Sequence, residues 1–364
     1  MLRNVRINLF SIAAVLVALG IVMIYSSSSI YAFEKYHDGF FFLKRHLFFI
    51  LLGIFFIFLI MIEDYRKLRK FAHPLIFIAI ILLILVLIPG IGREVSGARR
   101  WFRFKFLSFQ PSEFANLALI IYLADFISRK ESLIRSFRKG FAPALCMIGT
   151  ISFLLLLQPD LGSAIALSAV ALLMLYIAGT KPSYLFSLLL ISIPFLYLLI
   201  FRVAYRRARI LSFLNPWMDP QGSGFQLIQS QIALGSGKLF GVGLGHSRQK
   251  LFYLPAAHTD FIFSIIGEEL GLFGTVGVVV LFMLLIYEGI KIIKNASDRF
   301  GYFLSLGIVL MFSFKALINI GVSCGLFPTK GLPLPFISYG GSSFVFDMIS
   351  LGLLANIART GEFP

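Results

Sequence analysis

Phe252-Tyr-Leu-Pro-Ala-Ala-His258-Thr259-Asp260-Phe-Ile-Phe-Ser-Ile-Ile-Gly-Glu268-Glu269-Leu-Gly271 sets three acids and a histidine at the edge of an apolar stretch that runs on to about residue 290. The whole chain has only 17 acids among its 364 residues. Desolvating a carboxylate is costly unless it is paired, solvated or used. Acids gathered at the mouth of a hydrophobic segment therefore mark a candidate active site, and the segment behind them reads as a membrane span.

Composition agrees. Hydrophobic residues make up 59% and charged residues 14%, against about a quarter charged in soluble domains. So much apolar surface cannot be hidden in a soluble protein of this length. The expected fold class is an all-α polytopic membrane protein with about ten transmembrane helices, each needing roughly 20 apolar residues. They fall near 8–30, 44–62, 71–91, 110–128, 141–158, 161–179, 183–202, 262–290, 300–325 and 339–358. The first runs from beyond Arg3 and Arg6 to about Tyr25, long enough to span and to stay rather than be cleaved as a signal peptide. The spans 110–128 and 161–179 are short with polar ends, which predicts that they start inside a cavity. No internal repeat of the transporter kind is visible. Cys146 and Cys324 lie in apolar stretches and suggest neither a disulfide framework nor a metal site; they read as small buried hydrophobes. The 41 phenylalanines read as lipid-facing bulk.

Ten spans put both ends on one side. A raw count of bases is then a tie, 16 on each side with Lys315 inside a span. The positive-inside rule acts through short loops. Setting aside two long segments, 92–109 and 203–261, leaves 16 against four (Lys35, Lys44, Arg45 and Lys330), which predicts cytoplasmic termini. The two long segments are then basic exceptions on the outer face. One carries Arg99, Arg100, Trp101 and Arg103; the other carries Arg202, Arg206, Arg207, Arg209, Lys238, Arg248 and Lys250. Contact with anionic headgroups explains such bases in part. A pocket for a lipid phosphate or pyrophosphate, matched by arginine forks, is the sharper alternative. Nucleic acid is excluded by location. The 203–261 loop is too long for a simple connector, and its Trp, Phe, Leu and Ile content favours order against the membrane. Gln226 and Gln229 share a face if their stretch is helical. Gly241-Val-Gly243-Leu-Gly245 is no dinucleotide fingerprint, because no strand precedes it.

These blocks resemble the SEDS family (shape, elongation, division, sporulation) of membrane glycosyltransferases over nearly the whole chain. The resemblance is carried by Gly97-Ala-Arg-Arg-Trp101, Gln110-Pro-Ser-Glu113-Phe, Gln158-Pro-Asp160-Leu-Gly162, Asn215-Pro-Trp, Gln229-Ser-Gln-Ile-Ala-Leu-Gly-Ser-Gly237, Ala257-His-Thr-Asp260-Phe-Ile-Phe, Glu268-Glu-Leu-Gly271, Ile318-Asn-Ile-Gly-Val322 and Pro328-Thr-Lys330-Gly-Leu-Pro-Leu-Pro-Phe-Ile-Ser338-Tyr-Gly-Gly-Ser-Ser343. Tyr25-Ser-Ser-Ser-Ser-Ile-Tyr31 and Gln249-Lys-Leu-Phe-Tyr-Leu-Pro255 look more like its division type (FtsW) than its elongation type (RodA).

The resemblance implies a single membrane domain over 1–364, with much of the site carried by the 203–261 loop. It implies lipid II as substrate and a polymerase that inverts at the anomeric carbon, working in septal wall synthesis at the cell membrane. It also implies a class B penicillin-binding protein as partner. Asp260 corresponds to the family's essential aspartate and is the candidate general base. A divalent cation, Mg2+ or Mn2+, is expected only as one shared with the substrate pyrophosphate. A lipid flippase and a non-catalytic division scaffold are the alternatives, and both predict that Asp260 is dispensable for making glycan.

Arg99, Arg100, Trp101, Glu113, Asp160, Arg206, Arg209, Gln226, Gln229, His258, Thr259, Lys330 and Ser338 are the candidate substrate-binding residues, several with plainer explanations. His258 serves equally as a structural histidine. Glu113 suits the first turn of a helix, and Asp160 suits an N-cap. One of Glu268 and Glu269 is expected to pair with a base. Ser338 to Ser343 suits close backbone packing. The chain also departs from the family's usual pattern. Asn116 stands where a lysine is usual three residues after Glu113, Ala256 where glutamate is usual, and Lys315 where glutamine is usual. Lys315 is placed to supply the missing charge from another helix, with the unusual Asp347 as its partner.

Overall fold

The computed structural model describes residues 2–361 apart from 96, 105–106 and 252–253, and leaves aside the side chains at 95, 103, 104 and 107; the Arg103 side chain and the Phe252-Tyr253 pair lie outside it. Twelve α-helices are described. Ten form the bundle: α1 (Leu2–Tyr36), α2 (Phe41–Ile62), α3 (Leu68–Leu85), α4 (Pro111–Arg129), α5 (Ala142–Leu157), α6 (Leu161–Ile177), α7 (Pro182–Phe201), α10 (Ile262–Lys294), α11 (Arg299–Ser323) and α12 (Gly341–Thr360). Two short helices, α8 (Ala204–Leu214) and α9 (Phe225–Ser236), lie in the long loop between α7 and α10. Eight segments are long and apolar enough to cross a membrane, and α4 and α6 complete the ten predicted.

The bundle is organised around α4, which is buried from Pro111 to Ile127 almost without interruption and packs on α3, α5, α6, α11 and α12. A polar-ended, moderately apolar helix can occupy the centre because protein, not lipid, surrounds it. Small residues let the other helices close in, as is usual between membrane helices. Gly53 of α2 lies against Met348, Gly341 of α12 against Phe49, and Gly20 of α1 against the backbone of Phe336 and Ile337. A Cβ at Gly20 would stand 2.8 Å from the Phe336 carbonyl oxygen. Gly20→Ala is therefore expected to destabilise the protein by about 1–3 kcal/mol through overpacking, read as a lower thermal midpoint in detergent.

In contrast, α7 has no buried residue. Both cysteines face outward rather than inward, which corrects the expectation that they are buried. An apolar environment on either side makes hydropathy blind to that choice. The phenylalanines divide for the same reason: Phe58, Phe186 and Phe273 face out, while Phe312, Phe336 and Phe344 fill the core.

The all-helical expectation misses one element. Three short segments form a three-stranded antiparallel sheet, β1 (Arg93–Val95), β2 (Ala98–Phe104) and β3 (Leu107–Phe109), with β2 in the middle. Aromatic residues in β2 favour strand, and Gly97 at φ 75° supplies the left-handed turn before it.

A second irregularity is a break inside α10. Gly271 adopts φ 67°, ψ −159°, leaving helix carbonyls and amides without intrahelical partners. Residues 237–243 of the long loop lie across the break as a strap. Val242 and Gly243 donate to the carbonyls of Glu268 and Glu269 at 2.9 and 3.1 Å, and Leu272 donates to the carbonyl of Lys238 at 2.9 Å. Gly241, at φ 80°, approaches so closely that a Cβ there would be 2.1 Å from the Glu269 carbonyl oxygen.

Candidate functional site

Two loops meet on the far face of the bundle from the termini. One is the predicted polar run at 256–260; the other joins α11 to α12 through residues 328–340. Tyr339 N–H donates to the His258 carbonyl at 3.0 Å. Ser338 Oγ donates to the Thr259 carbonyl at 2.6 Å and accepts from Leu334 N–H at 2.8 Å. Asn319 of α11 reaches up between the loops, its Nδ2 donating to the carbonyls of Asp260 at 2.9 Å and Leu332 at 2.7 Å. The backbone of Asp260 is thus fixed from below.

The Asp260 side chain lies over Gly331, where a Cβ would stand 2.4 Å from its Oδ2. Asp260 keeps part of its surface open. Burial nevertheless pushes its carboxyl up to about 6, against the pull of Arg209 and Lys330. Desolvation outweighs both cations, which leaves a carboxylate basic enough to take a proton near neutrality. Arg209, on α8, reaches the carbonyl of Thr329 at 3.5 Å, so that α8 leans over the second loop.

Lys330 runs along Gly162 at the start of α6, where any Cβ would collide with its stem. Its Nζ is buried and has no hydrogen-bond acceptor among the described residues. Burial draws the ammonium down to about 8, opposed by the charges of Asp160 and Glu113. An enclosed, unpartnered ammonium is costly, and it is where an anion would be taken up.

Asp160 is the N-cap of α6, accepting from Ser163 N–H at 3.2 Å. Arg100 comes down from β2 to donate to the carbonyls of Gln158 and Pro159 at 2.9 and 2.6 Å, with its guanidinium 4.0 Å from Asp160. Glu113, in the first turn of α4, accepts from Lys315 of α11 at 2.8 Å; Lys315 also donates to Asp347 of α12 at 2.9 Å and to Ser343 Oγ at 3.3 Å. Lys315 thus joins three helices, the arrangement expected from its departure from the usual sequence. Asn116 lines a narrow cavity with Lys315 and Ser163 between α4, α6 and α11.

The remaining candidates are dispersed. His258 packs among the rings of Phe42, Tyr31 and Tyr339 at centroid distances of 4.6, 6.0 and 5.8 Å. Burial draws its imidazole down to about 4, so it is neutral at physiological pH. Thr259 Oγ1 turns back to the Ala256 carbonyl at 3.1 Å. Arg99 pairs with Glu94 at 3.3 Å on the exposed surface, and Arg206 folds onto Tyr205 Oη and the Leu199 carbonyl, both at 3.0 Å. Trp101 is half-buried opposite Arg93 in the sheet. Gln226 and Gln229 do share a face of the short helix α9, both half-buried.

Glu268 and Glu269 support the site from one side. Glu268 accepts from Ser247 Oγ and from the N–H of Arg248 at 2.9 Å. Glu269 pairs with Lys250 at 3.0 Å and with Ser26 Oγ of α1 at 2.7 Å, all three buried. Asn319, Gly331 and Ser26 were not among the candidates. Asn319 was detectable as an amide alone in an apolar run; the other two take meaning only from contacts distant in sequence. Among the described residues no three His, Cys, Asp or Glu side chains gather as a metal-holding group.

Comparison with known proteins fits this architecture. Residues 6–362 match the family model described as cell cycle protein, which groups FtsW, RodA and SpoVE. The chain is 47% identical over 346 residues, 95% of its length and 92% of the relative's, to a "Probable peptidoglycan glycosyltransferase FtsW" of Geobacter metallireducens. It is 44% identical to "Stage V sporulation protein E" of Bacillus subtilis, covering 97% of this chain and 96% of that one. Among solved structures it is similar to a chain from "Structural coordination of polymerization and crosslinking by a peptidoglycan synthase complex", with a TM-score of 0.80, 31% identity and 98% of both chains covered. It is also similar to the Thermus thermophilus rod shape determining protein RodA, with a TM-score of 0.71, 29% identity and 96% and 95% covered.

Proposed function

This chain belongs to the cell cycle protein family of FtsW, RodA and SpoVE, and on that premise we propose that it is a peptidoglycan polymerase acting on lipid II. The growing glycan is held through its undecaprenyl pyrophosphate, and the 4-hydroxyl of the acceptor's N-acetylglucosamine attacks its anomeric carbon from the opposite face. Asp260 takes the hydroxyl proton as the new bond forms. The bond from the anomeric carbon to the pyrophosphate oxygen breaks, with its electron pair going to that oxygen, and Lys330 and Arg209 neutralise the leaving charge. One carboxylate suffices because pyrophosphate departs well once neutralised. The observation that carries this reading is the combination of a partly open, raised-pKa Asp260 with two cations acting on it.

A protein-held divalent cation does not fit these residues, because Asp260 is a lone carboxylate with Arg209 and Lys330 as its charged neighbours. A cation would have to arrive on the pyrophosphate. The high identity to relatives named FtsW supports a role in septal wall synthesis, with the protein in the cell membrane and both termini cytoplasmic by the loop charges. The solved complex that couples polymerization and crosslinking supports a class B penicillin-binding protein as partner.

The test is purified protein with lipid II in detergent, with and without a cognate transpeptidase, scored for glycan polymer on gels. Wild-type polymer is expected. None in either condition overturns the reading in favour of transport or scaffolding. Gly331→Ala offers a local check. Its methyl group would displace the Asp260 carboxylate, and a misplacement of about 1 Å can cost roughly a hundredfold in rate. A fall of that order with an unchanged thermal midpoint is expected from initial rates.

A further inference from the structure

The loop that joins α11 to α12 crosses the site from one side to the other. Near its start the stem of Lys330 lies along Gly162 of α6. At its end the ring of Tyr339 stands against Phe42 of α2, with centroids 5.1 Å apart. A second cation lies at that end. Arg45, one turn into α2, holds its guanidinium over the Phe41 ring at 4.3 Å and donates to the Tyr339 side chain. The rings of Phe41 and Phe42 are 5.2 Å apart, and Phe42 is 4.6 Å from His258, two residues before Asp260. Arg45 is half-buried. Among the described residues no carboxylate pairs with it, and Asp38, the nearest acid in sequence, is taken by Lys44 at 2.8 Å. A guanidinium carries its N–H donors in one plane, so stacking on a ring leaves donors at its edge free. An arginine held flat, half-desolvated and without a counter-charge is suited to a phosphate or diphosphate.

On the polymerase reading, on which this rests, the reaction brings two diphosphates to one site. The donor's departs from the anomeric carbon beside Lys330 and Arg209, while the acceptor keeps its own throughout. Two such anions repel each other when they share one cluster of cations, so each needs a cation of its own. We propose that Arg45, stacked on Phe41 beside Tyr339, is the diphosphate contact of the acceptor lipid, so that the two lipids are held at opposite ends of the 328–340 loop and their sugars meet at Asp260. The phosphate of an anionic phospholipid offers the same chemistry to a guanidinium, and the two sources are separated by competition.

The experiment titrates undecaprenyl pyrophosphate into the full chain in detergent by calorimetry, with and without excess phosphatidylglycerol. It also measures initial rates of polymer formation over a range of lipid II concentrations. Wild type is expected to bind two equivalents that phosphatidylglycerol does not displace, and Arg45→Gln only one. Arg45→Gln should raise KM for lipid II about tenfold, the low end of what a hydrogen bond to a charged group is worth, with kcat within about threefold. Arg45→Lys, which keeps the charge but not the fork, should fall between the two. A single equivalent in wild type overturns the proposal, and so does an unchanged count or an unchanged KM in Arg45→Gln. Displacement of the second equivalent by phosphatidylglycerol overturns it as well and assigns Arg45 to the surrounding headgroups. Failure of both variants to fold assigns the residue to stability and also overturns it. Should wild type make no polymer, the polymerase reading fails by itself, and the binding counts still decide whether Arg45 holds a diphosphate.

Discussion

Asp260→Asn is expected to abolish glycan polymer while leaving the protein folded. A general base contributes about 10²–10⁴ in rate, and the amide retains the size and much of the packing of the carboxylate while losing the ability to take a proton. The backbone contacts that hold residue 260, from Asn319 and the 256–260 turn, do not involve its carboxylate. Stability should not fall. The folded carboxyl sits at about 6 against an ordinary 3.8, so the folded state binds the proton more tightly than the unfolded chain. The contribution of this group is fully present below the unfolded value and is lost as pH rises through 6. At pH 7.5 the charged form is a burden, and the amide should match or slightly raise the thermal midpoint. In wild type the rate should climb as pH rises through about 6, as Asp260 loses its proton, and decline above about 8, as Lys330 loses its own. A flat profile across that range would remove both groups from the chemistry, and polymer from Asp260→Asn at the wild-type rate would remove Asp260 as the base.

Lys315→Gln carries the largest expected loss of stability. It strips the ammonium that donates to two buried carboxylates, Glu113 and Asp347. Breaking a buried ion pair by deleting one partner costs about 3–5 kcal/mol, because the charge left behind is neither solvated nor paired. At an unfolding entropy of about 2.1 cal/mol/K per residue, a chain of this length shifts by roughly 1–2 °C per kcal/mol, so the thermal midpoint should fall by about 5 °C. Lys315→Gln/Asp347→Asn should regain part of that loss, since one stranded carboxylate goes with the cation. The pattern separates paired charge from packing: if the missing lysine stem is what matters, both variants should melt alike.

Much of this was legible in the sequence because hydropathy reports the membrane directly. Among the described residues, eight of the ten predicted spans are helices long and apolar enough to cross a membrane, and the other two, the short fourth and sixth, are helices whose polar ends foretold a start against protein rather than lipid. The pairing of Lys315 with Glu113 and Asp347 was legible because charge in a span is costly and must be answered. What stayed hidden shares a physical cause. Cys146 and Cys324 face outward because bilayer and bundle interior are equally apolar. In the sheet, β1 and β3 have three residues each, too short to give a period, and β2 does not alternate apolar with polar residues. Gly271 reads as one more glycine in an apolar helix, and nothing local shows that α10 breaks there. Arg99 and Arg206 resemble Arg100 and Arg209 in type and place. Only the register of β2 and the rotation of α8 decide which of them lie near Asp260, Lys330 or Asp160.

The break at Gly271 also bears on the order in which the protein is made. A continuous helix enters a bilayer with every backbone bond already closed within itself. Broken at Gly271, α10 cannot: the carbonyls of Glu268 and Glu269 and the amide of Leu272 find their partners in the 237–243 strap. That strap is synthesised before the helix it completes and must already have crossed to the far side when the helix inserts. Ser26, whose hydroxyl donates to Glu269 and accepts from Lys250, comes from the first span to be made. The candidate-site end of α10 is therefore a product of assembly rather than of insertion, finished only when the first span, the outer loop and the eighth span meet. A chain whose outer loop has failed to dock would carry all its helices in the membrane and still lack a site.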